Sequence, residues 1–117
     1  MKNSKQYDLE DRTLKFTKEV IEFVKNLPRT IANIEIIKQL VRASGSVGAN
    51  YIEANEALSK KDFAMRIKIC RKEAKESRYW LRLIEVNGPD AEKQRKLLIQ
   101  EATELMKIFG SILEKTK

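Results

Sequence analysis

The sequence contains no histidine and one cysteine, Cys70. Without histidine the chain lacks the commonest general base, the serine–histidine and cysteine–histidine nucleophile pairs, and the Glu-x-x-His ligand sets of di-iron bundles. A lone cysteine closes no internal disulfide. Cys70 also falls on an apolar helical face, where a small buried hydrophobe is expected rather than a reactive thiol. Long hydrophobic runs are missing as well. The longest uncharged stretch, residues 43–52, has ten residues and is rich in glycine and polar side chains, whereas a membrane span needs about 20 apolar ones. The opening "MKNSKQYDLEDRTLKF" has no apolar core of a secretion signal, so a cytoplasmic location is the expectation. Proline and glycine number only two and four, too few for a turn-rich β architecture.

What remains is 42% hydrophobic and 35% charged residues, arranged with helical period. The breaks "LPRT" (27–30), "ALSKKD" (57–62) and "NGPD" (87–90) divide the chain into four similar segments. In the first, Leu9, Thr13, Phe16, Val20, Phe23 and Leu27 alternate spacings of four and three, the seam of a packed helix. The third opens on Ser59 as N-cap with Asp62 three residues on, and carries Phe63, Ile67, Cys70, Ala74, Ser77, Leu81 and Ile84. In the fourth, Asp90 is the expected N-cap, ahead of Leu97, Ala102, Leu105, Ile108, Phe109 and Ile112. Short connections make sequential helices antiparallel. The reading is an all-α, antiparallel up-and-down four-helix bundle in one domain over 1–117, with helices at about 8–27, 30–57, 60–87 and 90–115.

The stretch "VRASGSVGANYIEAN" (41–55) is the least helix-like by composition, yet one helical phase runs through it. Glu35, Gln39, Arg42, Ser46, Asn50 and Glu53 form a narrow polar stripe. Ile36, Leu40, Ala43, Val47 and Ala54 lie on one side of it, with Ile34, Val41, Gly45 and Ile52 on the other. Two interior glycines cost about 2 kcal/mol in propensity, and burial of the surrounding aliphatic side chains, at about 1.5–3 kcal/mol each, offsets that. A helix is therefore expected, with Gly45 and Gly48 offering bare backbone to a close neighbour. A phosphate-binding loop is excluded, since no strand precedes it and no Gly-Lys-Ser/Thr ends it.

Helices two and three carry more apolar circumference than one four-helix core requires. Met65, Ile69, Trp80 and Leu83 lie beside the third seam with Glu73 and Glu76 interleaved. Self-association follows as an expectation, with Met65, Ile69, Glu73, Trp80, Leu83, Gly45 and Gly48 as candidate interface residues. A monomer with a generous core is the alternative.

Charge is concentrated in one segment. Residues 59–88 hold nine basic and four acidic side chains, +5 of the chain's +7. Lys68, Arg71, Lys75, Arg78 and Arg82 each follow a seam residue and form a basic stripe about 100° round from the core, a candidate footprint for phosphate backbones. The sequence pairs this stripe with no RNA-reading signature or aromatic stacking platform. Two Glu-x-x-Glu pairs, Glu53/Glu56 and Glu73/Glu76, offer a competing reading as a Mg²⁺ site resembling all-α nucleoside triphosphate pyrophosphohydrolases. In those proteins the second pair usually ends in Asp, where this chain has Glu76. Ion pairing of Glu73 and Glu76 with Lys72, Lys75 and Arg66 is the preferred account.

"ASGSVGANYIEAN" and "SKKDFAMRIKICRKEAKESRYWLRLI" resemble the bacterial four-helix-bundle proteins encoded in 23S rRNA intervening sequences. Gly48-Ala49-Asn50, Ser59-Lys60-Lys61-Asp62-Phe63, Lys72-Glu73-Ala74 and Tyr79-Trp80-Leu81-Arg82-Leu83 carry the resemblance. It implies an antiparallel bundle, typically a ring-shaped homopentamer, without established enzymatic activity and without a cofactor. More distantly the chain is similar to accessory variability proteins of diversity-generating retroelements, which bind a reverse transcriptase and nucleic acid. The expectation for function is a non-enzymatic homo-oligomer whose basic stripe contacts RNA or a nucleic-acid-handling protein, with a protein-only scaffold and the pyrophosphohydrolase as alternatives.

Overall fold

A computed structural model describes residues 4–117, with side chains from Leu9 onward. Four helices fill it: α1 (Ser4–Val24), α2 (Ile31–Asn55), α3 (Lys60–Leu83) and α4 (Pro89–Glu114). In α1 the seam Leu9, Thr13, Phe16, Val20 and Phe23 is buried throughout, and Leu27 is buried just beyond the helix. Thr30 caps α2 by accepting from the Asn33 N–H at 3.1 Å. Ser59 caps α3 by accepting from the Asp62 N–H at 3.0 Å, as its spacing predicts. Helix α2 runs unbroken through Ser44, Gly45 and Gly48, with Leu40, Ala43, Val47, Tyr51 and Ala54 in the core.

Two details of α4 differ from the sequence reading. Asp90 is not the N-cap: the helix starts at Pro89, with Gly88 as cap at φ 95°. Proline's fixed φ and missing N–H suit it to the first helical position, so Asp90 and Glu92 act on the first turn through charge alone. Of two adjacent leucines, Leu98 is the buried one and Leu97 faces out at 59% exposure. The core phase is Leu98, Ala102, Leu105, Phe109 and Leu113, while Ile108 and Ile112 only border it.

Contacts fix the register. Thr17 Oγ1 donates to the Ser44 carbonyl at 2.9 Å, Arg66 Nη1 to Asn50 Oδ1 at 3.0 Å, and Arg78 Nη1 to Thr103 Oγ1 at 3.4 Å. Each neighbour therefore runs antiparallel to the last, and α4 closes back on α1. Across the diagonal, Tyr51 of α2 meets Phe109 of α4, with ring centroids 5.8 Å apart and planes at 55°. The rod measures 45 × 24 × 20 Å. Cys70 is fully buried, and desolvation pushes its thiol up to about 12, as expected of a packing residue.

The two glycines of α2 have different roles. A Cβ on Gly48 would lie 3.0 Å from Thr13 Oγ1 and 3.3 Å from Thr13 Cβ, so here α1 and α2 meet backbone to side chain. Thr13 has little freedom to yield, because it is buried and Oγ1 donates to the Leu9 and Glu10 carbonyls, both at 3.0 Å. A Cβ on Gly45 would meet nothing within 4 Å. Gly45→Ala is expected to stabilise by about 0.5–1 kcal/mol through helix propensity. Gly48→Ala, gaining the same propensity but overpacking Thr13, is expected to lose about 1 kcal/mol net. Urea midpoints of the two variants check the opposite signs.

Candidate nucleic-acid interface

The five cations of α3 lie along the groove between α3 and α4. Lys68, Arg71, Lys75 and Arg82 are exposed, while Arg78 is half-buried and donates to Thr103. Gly110 makes room for the stem of Arg71: its missing Cβ would stand 3.9 Å from Arg71 Cδ and 4.0 Å from Nη1. Lys107 of α4 is exposed one turn from both Thr103 and Gly110 and extends the basic surface. Among the described residues, Lys68, Arg71, Lys75 and Arg82 form no ion pair.

Nearby carboxylates are held on other faces. Arg12 of α1 draws Glu101 and Glu104 to the α1–α4 side, with Nε–Oε2 and Nη2–Oε1 contacts of 2.8 Å to Glu101 and an Nη2–Oε1 contact of 2.8 Å to Glu104. The hydrogen bond that Arg12 donates to Glu101, with the negative charges of Glu101 and Glu104 beside it, pushes the Arg12 guanidinium up from its ordinary value. Bonds donated by Gln100 and then Arg12 hold Glu104 below the usual carboxylate range. Glu92 is likewise lowered by its hydrogen bond from Arg95. On the α2 side, Arg42 Nη1 lies 3.5 Å from Glu73 Oε1 and Nη2 lies 3.1 Å from Glu76 Oε1. The partner of Glu73 and Glu76 is thus Arg42, not Lys72, Lys75 or Arg66. Arg66 is engaged with Asn50.

That register also separates the four glutamates proposed as a Mg²⁺ site. Glu53 and Glu56 sit near the α2–α3 connection with Asp62, Met65 and Arg66. Glu73 and Glu76 sit at Arg42, about 16 Å further along α2 at 1.5 Å per residue. Among the described residues no three acidic or thiol side chains converge on a cation position. The four glutamates therefore do not converge as one site in this structure.

The residues expected at a self-association surface are dispersed. Glu73 is buried, Ile69 and Trp80 are partly buried, and Met65 and Leu83 are half-exposed at 49% and 50%. Gly48 is occupied by Thr13 of the same chain, and Gly45 faces open space. Two buried atoms on this flank, Glu73 Oε1 and Trp80 Nε1, have no hydrogen-bond partner. A second set of exposed apolar side chains lies on α1 and α2: Leu14 (54%), Ile21 (41%), Ile34 (39%) and Ile52 (53%). The sequence reading placed Ile34 and Ile52 together on one apolar side of the second helix but passed over Leu14 and Ile21, although each follows a seam residue and the two stand seven apart.

Taken together, these features define a histidine-free, all-α four-helix bundle in which, among the described residues, Lys68, Arg71, Lys75 and Arg82 line a face without ion pairs. Over residues 5–111 the chain matches the family model of the 23S rRNA-intervening sequence proteins, and it belongs to that family. The fold is shared with the crystal structure of a protein of unknown function from the S23 ribosomal protein family of Bacteroides thetaiotaomicron. The two superimpose with a TM-score of 0.79 at 30% identity, over 94% of this chain and 98% of the other. No curated protein matches the chain. Among the described residues no helix is long and apolar enough to cross a membrane.

Proposed function

We propose that this protein is a non-enzymatic, cytoplasmic bundle that binds RNA across the α3–α4 face. One observation carries the reading: among the described residues Lys68, Arg71, Lys75 and Arg82 project without ion pairs, while Glu73 and Glu76 are engaged by Arg42 and Glu101 and Glu104 by Arg12. Cations held apart from their counter-charges are what a phosphate backbone requires, because each contact then releases a condensed counterion. With four such contacts, affinity for RNA is expected to fall roughly 50- to 150-fold between 50 and 200 mM salt. Replacing Lys75 by Gln should lower the log–log salt slope by about one. Filter binding with an RNA hairpin checks both. No binding at low salt, or binding indifferent to reversal of Arg71, Lys75 and Arg78 to Glu, overturns the reading.

Self-association is the second element of the proposal, supported by the exposed side chains of Leu14, Ile21, Ile34 and Ile52. Where such side chains form one contiguous surface on a small soluble chain, a partner commonly covers it. The homopentamer implied by the family resemblance is the expected state. A solution mass equal to one chain at micromolar concentration rules it out.

A further inference from the structure

Tyr79 stands out beside the basic ridge. Its side chain is 58% exposed, and its ring meets that of Trp80 edge to face, with centroids 5.1 Å apart and planes at 74°. Trp80 is itself packed against the core, with its indole nitrogen enclosed, so the bracing partner is fixed. An exposed aromatic held in this way gives up little freedom when something stacks on it. Its neighbours on the helix surface are cationic: Lys75 lies four residues before it, Lys72 seven before, and Arg82 three after. Glu76, the nearby carboxylate, is turned to Arg42.

We infer that Tyr79 is a stacking platform for an unpaired base of single-stranded RNA whose backbone lies along Lys75 and Arg82. The inference rests on the RNA reading above and names the form of RNA that this site takes. An electrostatic ridge alone accepts any phosphate chain, duplex or single-stranded. A π-face among cations adds a preference, because only an unpaired base offers its own face for stacking, and one base on one aromatic ring is worth roughly tenfold in affinity. A duplex keeps its bases stacked on each other and presents phosphates only. The sequence placed Tyr79 in a family motif but gave no sign of its exposure, since the residue lies between the cationic and apolar sides of α3.

Fluorescence anisotropy with a labelled single-stranded oligoribonucleotide and with a duplex of equal length tests the assignment. Tyr79→Leu is expected to weaken single-strand binding roughly tenfold. Tyr79→Phe should stay within about twofold of wild type, because the ring is kept. Neither should move duplex affinity, and neither should change the salt slope, because no charge is removed. Photocrosslinking of a bromouridine-containing strand to the peptide bearing residue 79 gives an independent readout on the unsubstituted protein. Wild-type binding that is untouched by Tyr79→Leu overturns the platform and leaves the RNA reading standing. So does a Tyr79→Leu loss shared equally by the duplex, or one that tracks a change in solution mass. Absence of wild-type binding to either RNA at low salt overturns both.

Discussion

Asn33→Ala is expected to lower the unfolding free energy by about 3 kcal/mol, out of proportion to the few atoms removed. Asn33 is 1% exposed at the start of α2, yet all of its side-chain bonds lead away from its own helix. Its Nδ2 donates to the Pro28 carbonyl at 3.0 Å and to the Glu85 carbonyl at 2.9 Å, and its Oδ1 accepts from the Glu85 N–H at 2.9 Å. One side chain therefore joins the α1–α2 connection to the segment leaving α3, at the end of the rod where both chain reversals occur. Its removal loses three part-buried bonds at about 1 kcal/mol each and leaves a backbone N–H and two carbonyls short of a partner. Asn33→Asp keeps the acceptor but points a carboxylate at two carbonyl oxygens, and should be no better tolerated. Urea denaturation at neutral pH measures both. A loss under about 1 kcal/mol for Asn33→Ala would mean that the two connections hold without it.

The sequence carried the core of this fold but not its cross-links. The seams of α1 and α3 are fixed by spacings of three and four, and six cycles of that pattern leave one consistent phase. At Leu97-Leu98 the pattern admits two phases one residue apart, and the choice belongs to packing against α1 and α3. Likewise, "NGPD" contains two helix starts, and proline's preference for the first turn outweighs Asp90's for the cap. Apolar residues beyond α1 and α3, Leu27 and Ile84, are buried as end-plugs in non-helical backbone. They carried the expected C-terminal ends of those helices to about 27 and 87, beyond Val24 and Leu83 where the helices stop.

The basic ridge was legible for the same reason as the seams. Residues three and four apart share a face whatever surrounds them, so Lys68, Arg71, Lys75, Arg78 and Arg82 were bound to align. Its neutralisation state was not legible. Whether Glu73 meets Lys72 or Arg42, and whether Glu101 turns to α3 or to Arg12, depends on the register between helices 30 and 90 residues apart in sequence. Asn33 is the extreme case, because its partners are mainly backbone groups, which no side-chain pattern encodes.

The double variant Leu14→Glu, Ile52→Glu is expected to convert an assembled form to single chains, weakening association at least a thousandfold. Both side chains are more than half exposed, at 54% and 53%, so the folded subunit loses little by the exchange. In an interface each contributes about 1.5–3 kcal/mol of burial, and a carboxylate in its place adds an unpaired charge. A total near 4 kcal/mol or above per contact corresponds to that thousandfold change. Light scattering gives the mass, and an unchanged urea midpoint for the monomer shows that the subunit is intact. The matched variant Met65→Glu, Leu83→Glu tests the flank that the sequence favoured. Those two residues stand eighteen apart on α3, about 27 Å at 1.5 Å per residue, with part-buried Ile69 and Trp80 between them. The α3 flank has spent most of its apolar surface against α2, so this second pair is expected to leave the mass unchanged. The opposite outcome, dissociation by the α3 pair alone, would place the interface on α3 and would cover Tyr79 along with it.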